Sequence, residues 1–322
     1  MRGSSDSINK ELAHSLYRRM LKLVAAAEHP HTQRIGHTRW AEFVPPRVCI
    51  TQADSLRDVV RRSFEAAYST TSVPSAFAFL KEALESLFSV WVLAEWERLG
   101  KKRQWDLCDG LVLMSAALYG ARVGCDTQPA LQNCMKDYQL CLRAYVQNMA
   151  DMVRRKIDVH GLVVGRVEDL TRFVYLVREE STLQRRDATP EDFSVVSLLQ
   201  HNCASEYVLN IVLLLVLRAV NVNSTVVGSD LAFRWLRVMP RNGASPLFAS
   251  WSYGAMRRKD VERHIRTADT QWYRAVPWDA LQCKSVICTL LRRQLECLPD
   301  SPDPPTQRMR STCKEQVLFL LS

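Results

Sequence analysis

Hydrophobic positions recur first at Leu12, Leu16, Met20, Leu23 and Ala27, in steps of four, four, three and four. That spacing keeps them on one helical face and predicts a helix over 12–27. His29-Pro30 ends it, because the residue before a proline is pushed out of the helical region. Residues 29–52 carry three His and three Pro with no regular period, a long connection. Leu56, Val59, Val60, Ser63 and Phe64 share a face and predict a second helix over 53–67. A third begins at Ser72, an N-cap residue followed by Pro74 near the first turn. It runs through Phe77, Leu80, Leu84, Leu87, Trp91 and Ala94 to Gly100. The charged "GKKRQ" that follows marks the end of a first domain, 1–100.

Beyond it, the same spacing predicts helices over 104–120, 129–157, 167–180 and 191–220. The longest apolar run, 208–220, has 13 residues and includes Asn210 and Arg218. A bilayer span needs ~20 residues, so this is a core helix and no transmembrane segment is expected. The period then changes. "STVVGSDLAFRWLRV" alternates around Gly228-Ser229-Asp230 and predicts a hairpin, and "PLFASW" predicts a third strand. Helical spacing returns at 256–267, 279–297 and 308–321. The expected fold is mainly α: a three-helix N-terminal domain, then a mostly helical α+β domain, 101–322, with a small antiparallel sheet.

Composition adds constraints. With 47% hydrophobic residues among 322 and only 11 Gly, the chain can bury a sizeable core and favours helices. Its balance of 43 Lys and Arg against 34 Asp and Glu gives +9, which points to an acidic partner. Ten cysteines form no C-x-x-C, and Cys134 and Cys141 stand at i and i+7 in an apolar helical pattern. They read as reduced, buried thiols rather than a disulfide framework or zinc site. His29, His31 and His37 read as loop histidines, so no metal is expected. No phosphate-cradling Gly-rich loop, H-E-x-x-H or G-x-S-x-G occurs. Asp6 and Glu11 interrupt the N-terminus with no apolar stretch after them, so no secretory signal is expected. No cleavable mitochondrial presequence stands out, although the basic amphipathic helix over 12–27 can carry internal targeting information.

Leu16-Tyr17-Arg18 in the first helix, with Val60, Arg61 and Phe64 of "VRRSF" in the second, carry a resemblance. Over residues ~8–98 the chain resembles the LYR-motif family of small mitochondrial three-helix proteins. The resemblance implies an adaptor of the mitochondrial matrix that binds the acyl carrier protein. It implies no directly bound cofactor, since the acyl chain arrives on the partner's 4'-phosphopantetheine. Leu16, Tyr17, Arg18, Arg19, Arg61, Arg62 and Phe64 would form the carrier-binding set. The four arginines suit an acidic helix and a phosphodiester, and Tyr17 offers a hydroxyl to the prosthetic group. Met20, Leu23, Phe77 and Leu80, with Phe64, would line the acyl tunnel, where each buried methylene contributes roughly 0.8 kcal/mol. The 29–52 connection is longer than a typical loop of that family.

"DFSVVSLLQHNCASEYVLNIVLLLVLRAVNVNSTVVGSDLAFRWLRV" and "CKSVICTLLRRQLECLP" are similar in layout to transglutaminase-like domains of the SirB type. Such an enzyme needs a cysteine thiolate at a helix N-terminus activated by a histidine from a neighbouring strand. Cys203 stands where that nucleophile would, but the strand reads "SDLAFRW" without His, His201 is too near in sequence and His264 lies in a helical stretch. A repurposed, inactive domain with a structural cysteine is expected, and the protein is not expected to be an enzyme.

Between Arg234 and Arg274 nine Lys or Arg face three Asp or Glu, a local +6, with Trp235, Phe248, Trp251, Tyr253, Trp272 and Tyr273 interleaved. Two readings are open: an RNA-binding surface with stacking aromatics, or a solvated charged helix over aromatics in the core. On the first, Arg257, Arg258, Lys259, Arg263 and Arg266 would meet ribosomal RNA. The expected function is recruitment of acyl carrier protein to a mitochondrial ribosomal subunit precursor, in its assembly or structure. The alternative is an accessory subunit or assembly factor of a respiratory complex, or iron-sulfur cluster delivery.

Overall fold

The computed structural model describes residues 10–15, 17–18, 21, 57–58, 60–62, 64–65, 88–101, 105–123, 128–229, 232–268, 278 and 280–321. The fold is mostly helical with a small antiparallel sheet. Two compact units are present. The first comprises 1–103 with Gly120–Asn133, and the second comprises Gln104–Tyr119 with Cys134–Ser322.

In the first unit, residues 88–100 are helical, and Val90, Trp91, Val92, Trp96 and Leu99 are buried along them. Glu95 is buried among these apolar residues and accepts from Arg98 Nε at 2.7 Å and Gln132 Nε2 at 2.8 Å. Burying a carboxyl group is costly unless such donors meet it. The described positions between 10 and 21, and between 57 and 65, are also helical.

The second unit is built on helix α1 (Leu107–Val123, through Tyr119), α2 (Gln128–Lys156, from Cys134), α3 (His160–Val164) and α4 (Val167–Ser181). Next come β1 (Gln184–Arg185), a 3-10 turn at Pro190–Phe193, α5 (Val195–His201), β2 (Cys203–Ala204) and α6 (Glu206–Ala219). The four-stranded sheet follows as β3 (Asn223–Ser229), β4 (Ala232–Met239), β5 (Leu247–Ser250) and β6 (Gly254–Arg257). Helices α7 (Arg258–Ala268), α8 (Cys283–Cys297) and α9 (Pro304–Leu321) complete it.

The sheet order is β3-β4-β5-β6, antiparallel throughout. Its hairpin slips register between Val227 and Gly228, and Gly228 takes φ 140°, a value that side-chain-bearing residues rarely adopt. Successive residues of a strand face opposite sides, and Trp235 and Leu236 are both buried, so both faces of β4 are covered. On one side Val227, Trp235 and Phe248 cluster with Val261 of α7 and with Met256, Ile265 and Trp278. Helix α6 packs on β3 and β4, and α4 on β5 and β6. Outside β3, Leu281 N–H donates to the Val226 carbonyl at 2.9 Å, which gives that edge a partner. Helix α1 crosses α8 so closely at Gly110 that a Cβ there would lie 2.9 Å from Ile287 Cγ1.

Four expectations change. The predicted helix 191–220 is broken into the 3-10 turn, α5, β2 and α6. Ser194 caps α5 by accepting from Val196 N–H, Asn202 turns the chain at φ 52°, and Ser205 caps α6 by accepting from Val208 N–H. Local side-chain bonds therefore outcompete a continuous helix. Residues 256 and 257, expected to open a helix, belong to strand β6, stabilised by pairing with β5. Helix α9 starts at Pro304, earlier than 308, because Asp303 accepts from Thr306 N–H at 3.1 Å. Cys141 is exposed, since the buried face of α2 in the second unit runs through Leu142, Val146, Met149, Ala150 and Val153.

The apolar run expected as a core helix is α6, with Asn210 fully buried inside it. Its Oδ1 accepts from Trp251 N–H at 2.8 Å and its Nδ2 donates to the Arg234 carbonyl at 3.3 Å, tying helix to sheet. Among the described residues no helix is long and apolar enough to cross a membrane.

Candidate functional site

The two motif-bearing segments of the first unit meet at an aromatic pair. Tyr17 stacks on Phe64 with ring centroids 4.3 Å apart and planes 16° from parallel, and His14 lies 6.1 Å from the same ring. Phe64 and Val60 are buried beneath, whereas Arg18 and Arg61 are exposed. This follows from helical spacing: Val60 and Phe64 are four apart and point one way, and Arg61 turns to the surface. There its Nε donates to Glu65 Oε1 at 3.1 Å, which raises the guanidinium pKa further. Burial, reinforced by Glu65, raises the Tyr17 phenol, so it remains a protonated donor at neutral pH. Arg62 is half-buried. The side chains of Leu16, Arg19, Met20, Leu23, Phe77 and Leu80 lie outside the described residues.

Around Cys203 the structure builds a fixed polar cluster. Cys203 lies on β2, nearly buried, with its Sγ 3.1 Å from Ser197 Oγ. Ser197 Oγ donates to Asp192 Oδ1 at 2.9 Å and accepts from Arg186 Nη2 at 2.9 Å. Asp192, with no exposed surface, also accepts from Arg186 Nε at 2.8 Å and from the Ala188 and Thr189 N–H groups. Burial pushes its carboxyl up, but the bonds from Thr189, Arg186 and Ser197 outweigh it and hold the carboxyl below the usual range. At the start of α6, Glu206 N–H donates to Asp187 and Val208 N–H to Ser205, so those helix-terminal donors are occupied. His201 is exposed, and His264 packs on Trp235 and Tyr253. No histidine bonds Cys203 among the described residues. The Asp192 cluster was not anticipated from sequence, although Thr189-Pro-Glu-Asp192 is a capping-box pattern that announces it.

In the basic segment, Trp235, Phe248 and Trp251 are buried, so these aromatics are core and not a stacking face. Tyr253, stacked on Trp235 at 5.7 Å, stays partly open, while Trp272 and Tyr273 lie outside the described residues. Arg257, Arg258, Lys259 and Arg263 are exposed. Arg258 pairs with Glu262 at 2.9 Å and sits 5.0 Å over the Trp278 ring. Arg263 is 3.6 Å from Asp260. Arg257 and Lys259 have no ion pair among the described residues. Arg266 lies on α7, but its side chain is outside the described set.

Among the described residues, no group of three or more His, Cys, Asp or Glu is placed to hold a metal ion. No protein-family model, no curated protein and no solved structure matches the chain.

Proposed function

We propose that the chain is a non-enzymatic adaptor of the mitochondrial matrix. Its first unit, folded as a three-helix LYR-type bundle, would hold acyl carrier protein bearing a 4'-phosphopantetheine-linked acyl chain. Its second unit would attach to a ribosomal subunit precursor. The observation that carries the reading is the Tyr17–Phe64 stack, because it joins the Leu16-Tyr17-Arg18 segment to the Arg61-x-x-Phe64 segment. On this reading Arg18 and Arg61, both exposed, meet the carrier's acidic helix, where charge-assisted bonds are strong. The protonated Tyr17 hydroxyl is left to donate to the phosphopantetheine. The absence of a catalytic part is supported by Cys203, whose hydrogen-bond partner is Ser197 rather than a base. Attachment to ribosomal RNA is supported by Arg257 and Lys259, which offer charge to phosphates without first breaking an ion pair among the described residues.

The test is co-purification of the full chain with acylated carrier protein. Wild type retains it, and Arg18→Glu with Arg61→Glu loses it, since both changes turn attraction into repulsion at exposed positions. Undiminished capture by the double variant overturns the reading.

A further inference from the structure

The second unit contains a cavity of about 380 Å³ where five segments meet. Its size falls in the range of small-molecule sites, ~300–1,000 Å³. Three guanidiniums and three carboxylates line it. Arg185 and Asp187 come from β1 and just after it, Glu206 from the first turn of α6, Arg234 from β4, and Arg293 and Glu296 from α8.

These charges cancel in sum but not in place. Arg293 pairs with Glu296 at 2.7 Å, a neutral couple. Arg185 is shared by two carboxylates, Asp187 and Glu206, each at 2.8 Å, so that corner keeps one negative charge. The Glu206 side chain is only 9% exposed, and its second oxygen has only the Ser250 hydroxyl at 3.5 Å, the far limit of a hydrogen bond. The compensating positive charge is on Arg234, which is exposed and has no ion pair among the described residues. The cavity is therefore neutral but dipolar. Its poles are set close together, because Asn210, four residues after Glu206 on α6, holds the Arg234 carbonyl at 3.3 Å. That anchors the Arg234 backbone about one helical turn, ~5.4 Å, along α6 from Glu206. The remaining wall is apolar: the rings of Phe193 and Tyr207 lie 6.3 Å apart, with Cys297 at the end of α8. Burial, with Glu296 reinforcing it, raises the Cys297 thiol, so that side chain stays neutral.

We propose that this cavity binds a small zwitterion of the α-amino acid class with an apolar side chain: its ammonium at the Asp187–Glu206 corner, its carboxylate on Arg234, its side chain against Phe193 and Tyr207. The class follows from the placing of the charges rather than from their sum. A zwitterion meets both poles and leaves the cavity neutral. An anion or a cation of the same shape meets one pole, leaves the other unmet and adds a net charge. This site is independent of carrier binding by the first unit.

The probe is L-phenylalanine, with the full chain in a calorimeter, beside two ligands that keep its ring and one charge each. Phenethylamine lacks the carboxylate, and 3-phenylpropanoate lacks the ammonium. L-Phenylalanine should bind saturably and one to one, and each analogue roughly tenfold or more weakly, the loss of one charge-assisted bond. Arg234→Gln should weaken L-phenylalanine and 3-phenylpropanoate by a similar factor and leave phenethylamine unchanged. That split separates the loss of a carboxylate partner from general damage to the cavity. As a second readout, L-phenylalanine should slow alkylation of Cys297 but not of Cys141, exposed on α2, followed by mass spectrometry of their peptides. No saturable binding of L-phenylalanine, an analogue that binds as tightly, equal L-phenylalanine binding by the Arg234→Gln chain, a phenethylamine affinity that falls in parallel, or Cys297 alkylation unaffected at saturation would each overturn the assignment.

Discussion

Helices α6 and α7 pack on the same four-stranded sheet and treat polar groups in opposite ways. Along α6 the polar side chains Glu206 and Asn210 are buried, and Asn210 has fixed backbone partners. The Asp192 cluster at its N-terminal end is built alike, each bond satisfied from inside the fold. Along α7 Val261 enters the core and Ile265 packs against it, while Arg258, Lys259, Asp260 and Arg263 stay in water. The difference separates two meanings of a polar residue in an apolar context. Buried and fully partnered, it specifies the fold, and removing it leaves its partners stranded. Exposed, it contributes little to stability and is available to an outside partner.

The sharpest way to break that contrast is Asp192→Ala. The substitution strands the Arg186 guanidinium, the Ser197 hydroxyl and two backbone N–H groups. The expected loss is ~2–4 kcal/mol in a urea melt, because each stranded buried donor costs about 1–3 kcal/mol while Arg186, with 42% of its side chain exposed, can turn to water. The pH dependence has a definite sign. A carboxyl whose pKa falls on folding contributes its stability above the unfolded value and loses it as pH drops through the folded one. Wild type should therefore lose its advantage over Asp192→Ala as pH falls below the ordinary carboxylate range. A gap that is constant with pH would mean the charge on Asp192 contributes nothing.

Asn210→Ala is the next test, at ~1–3 kcal/mol, because it leaves the Trp251 N–H and the Arg234 carbonyl unpaired inside the core. A loss near zero would show that helix α6 is held by apolar packing alone.

The smallest effect on stability belongs to α7 and the residue before it. Arg257→Gln with Lys259→Gln should move the melting midpoint by less than ~0.5 kcal/mol. In the full chain the pair should lower the salt dependence of RNA affinity, by ~0.7 in log–log slope for each phosphate contact removed on single strands. A flat salt response in wild type would assign this face to a protein partner, as in a respiratory complex.

Much of the helical content was legible because its signal is local. The spacing of Leu170, Phe173, Val174 and Val177 marks α4 without reference to anything it touches, and all four are buried. The run 208–217 could only be core, and the glycine at 228 announced the hairpin. Pairing strength was not legible. Residues 254–257 carry no strong strand pattern, and they are a strand because Phe248 and Ala249 stand opposite Met256 and Ala255. The same holds for the aromatics of the basic segment: interleaving with arginine is visible in sequence, whereas the face each ring takes depends on what covers the sheet.

The candidate sites divide along the same line. By itself the sequence determined that Tyr17-Arg18 and Arg61-x-x-Phe64 lie on helices with a buried side and a charged side, since helical period and side-chain chemistry are properties of neighbours in the chain. Only the tertiary structure decided that Tyr17 stacks on Phe64, that Cys203 faces Ser197, and that Arg185, Glu206, Arg234 and Cys297 enclose one cavity. Apart from Ser197 and Cys203, those residues are far apart in sequence, and their meeting is settled by which apolar faces must be buried together, a condition on the whole fold that no local pattern records.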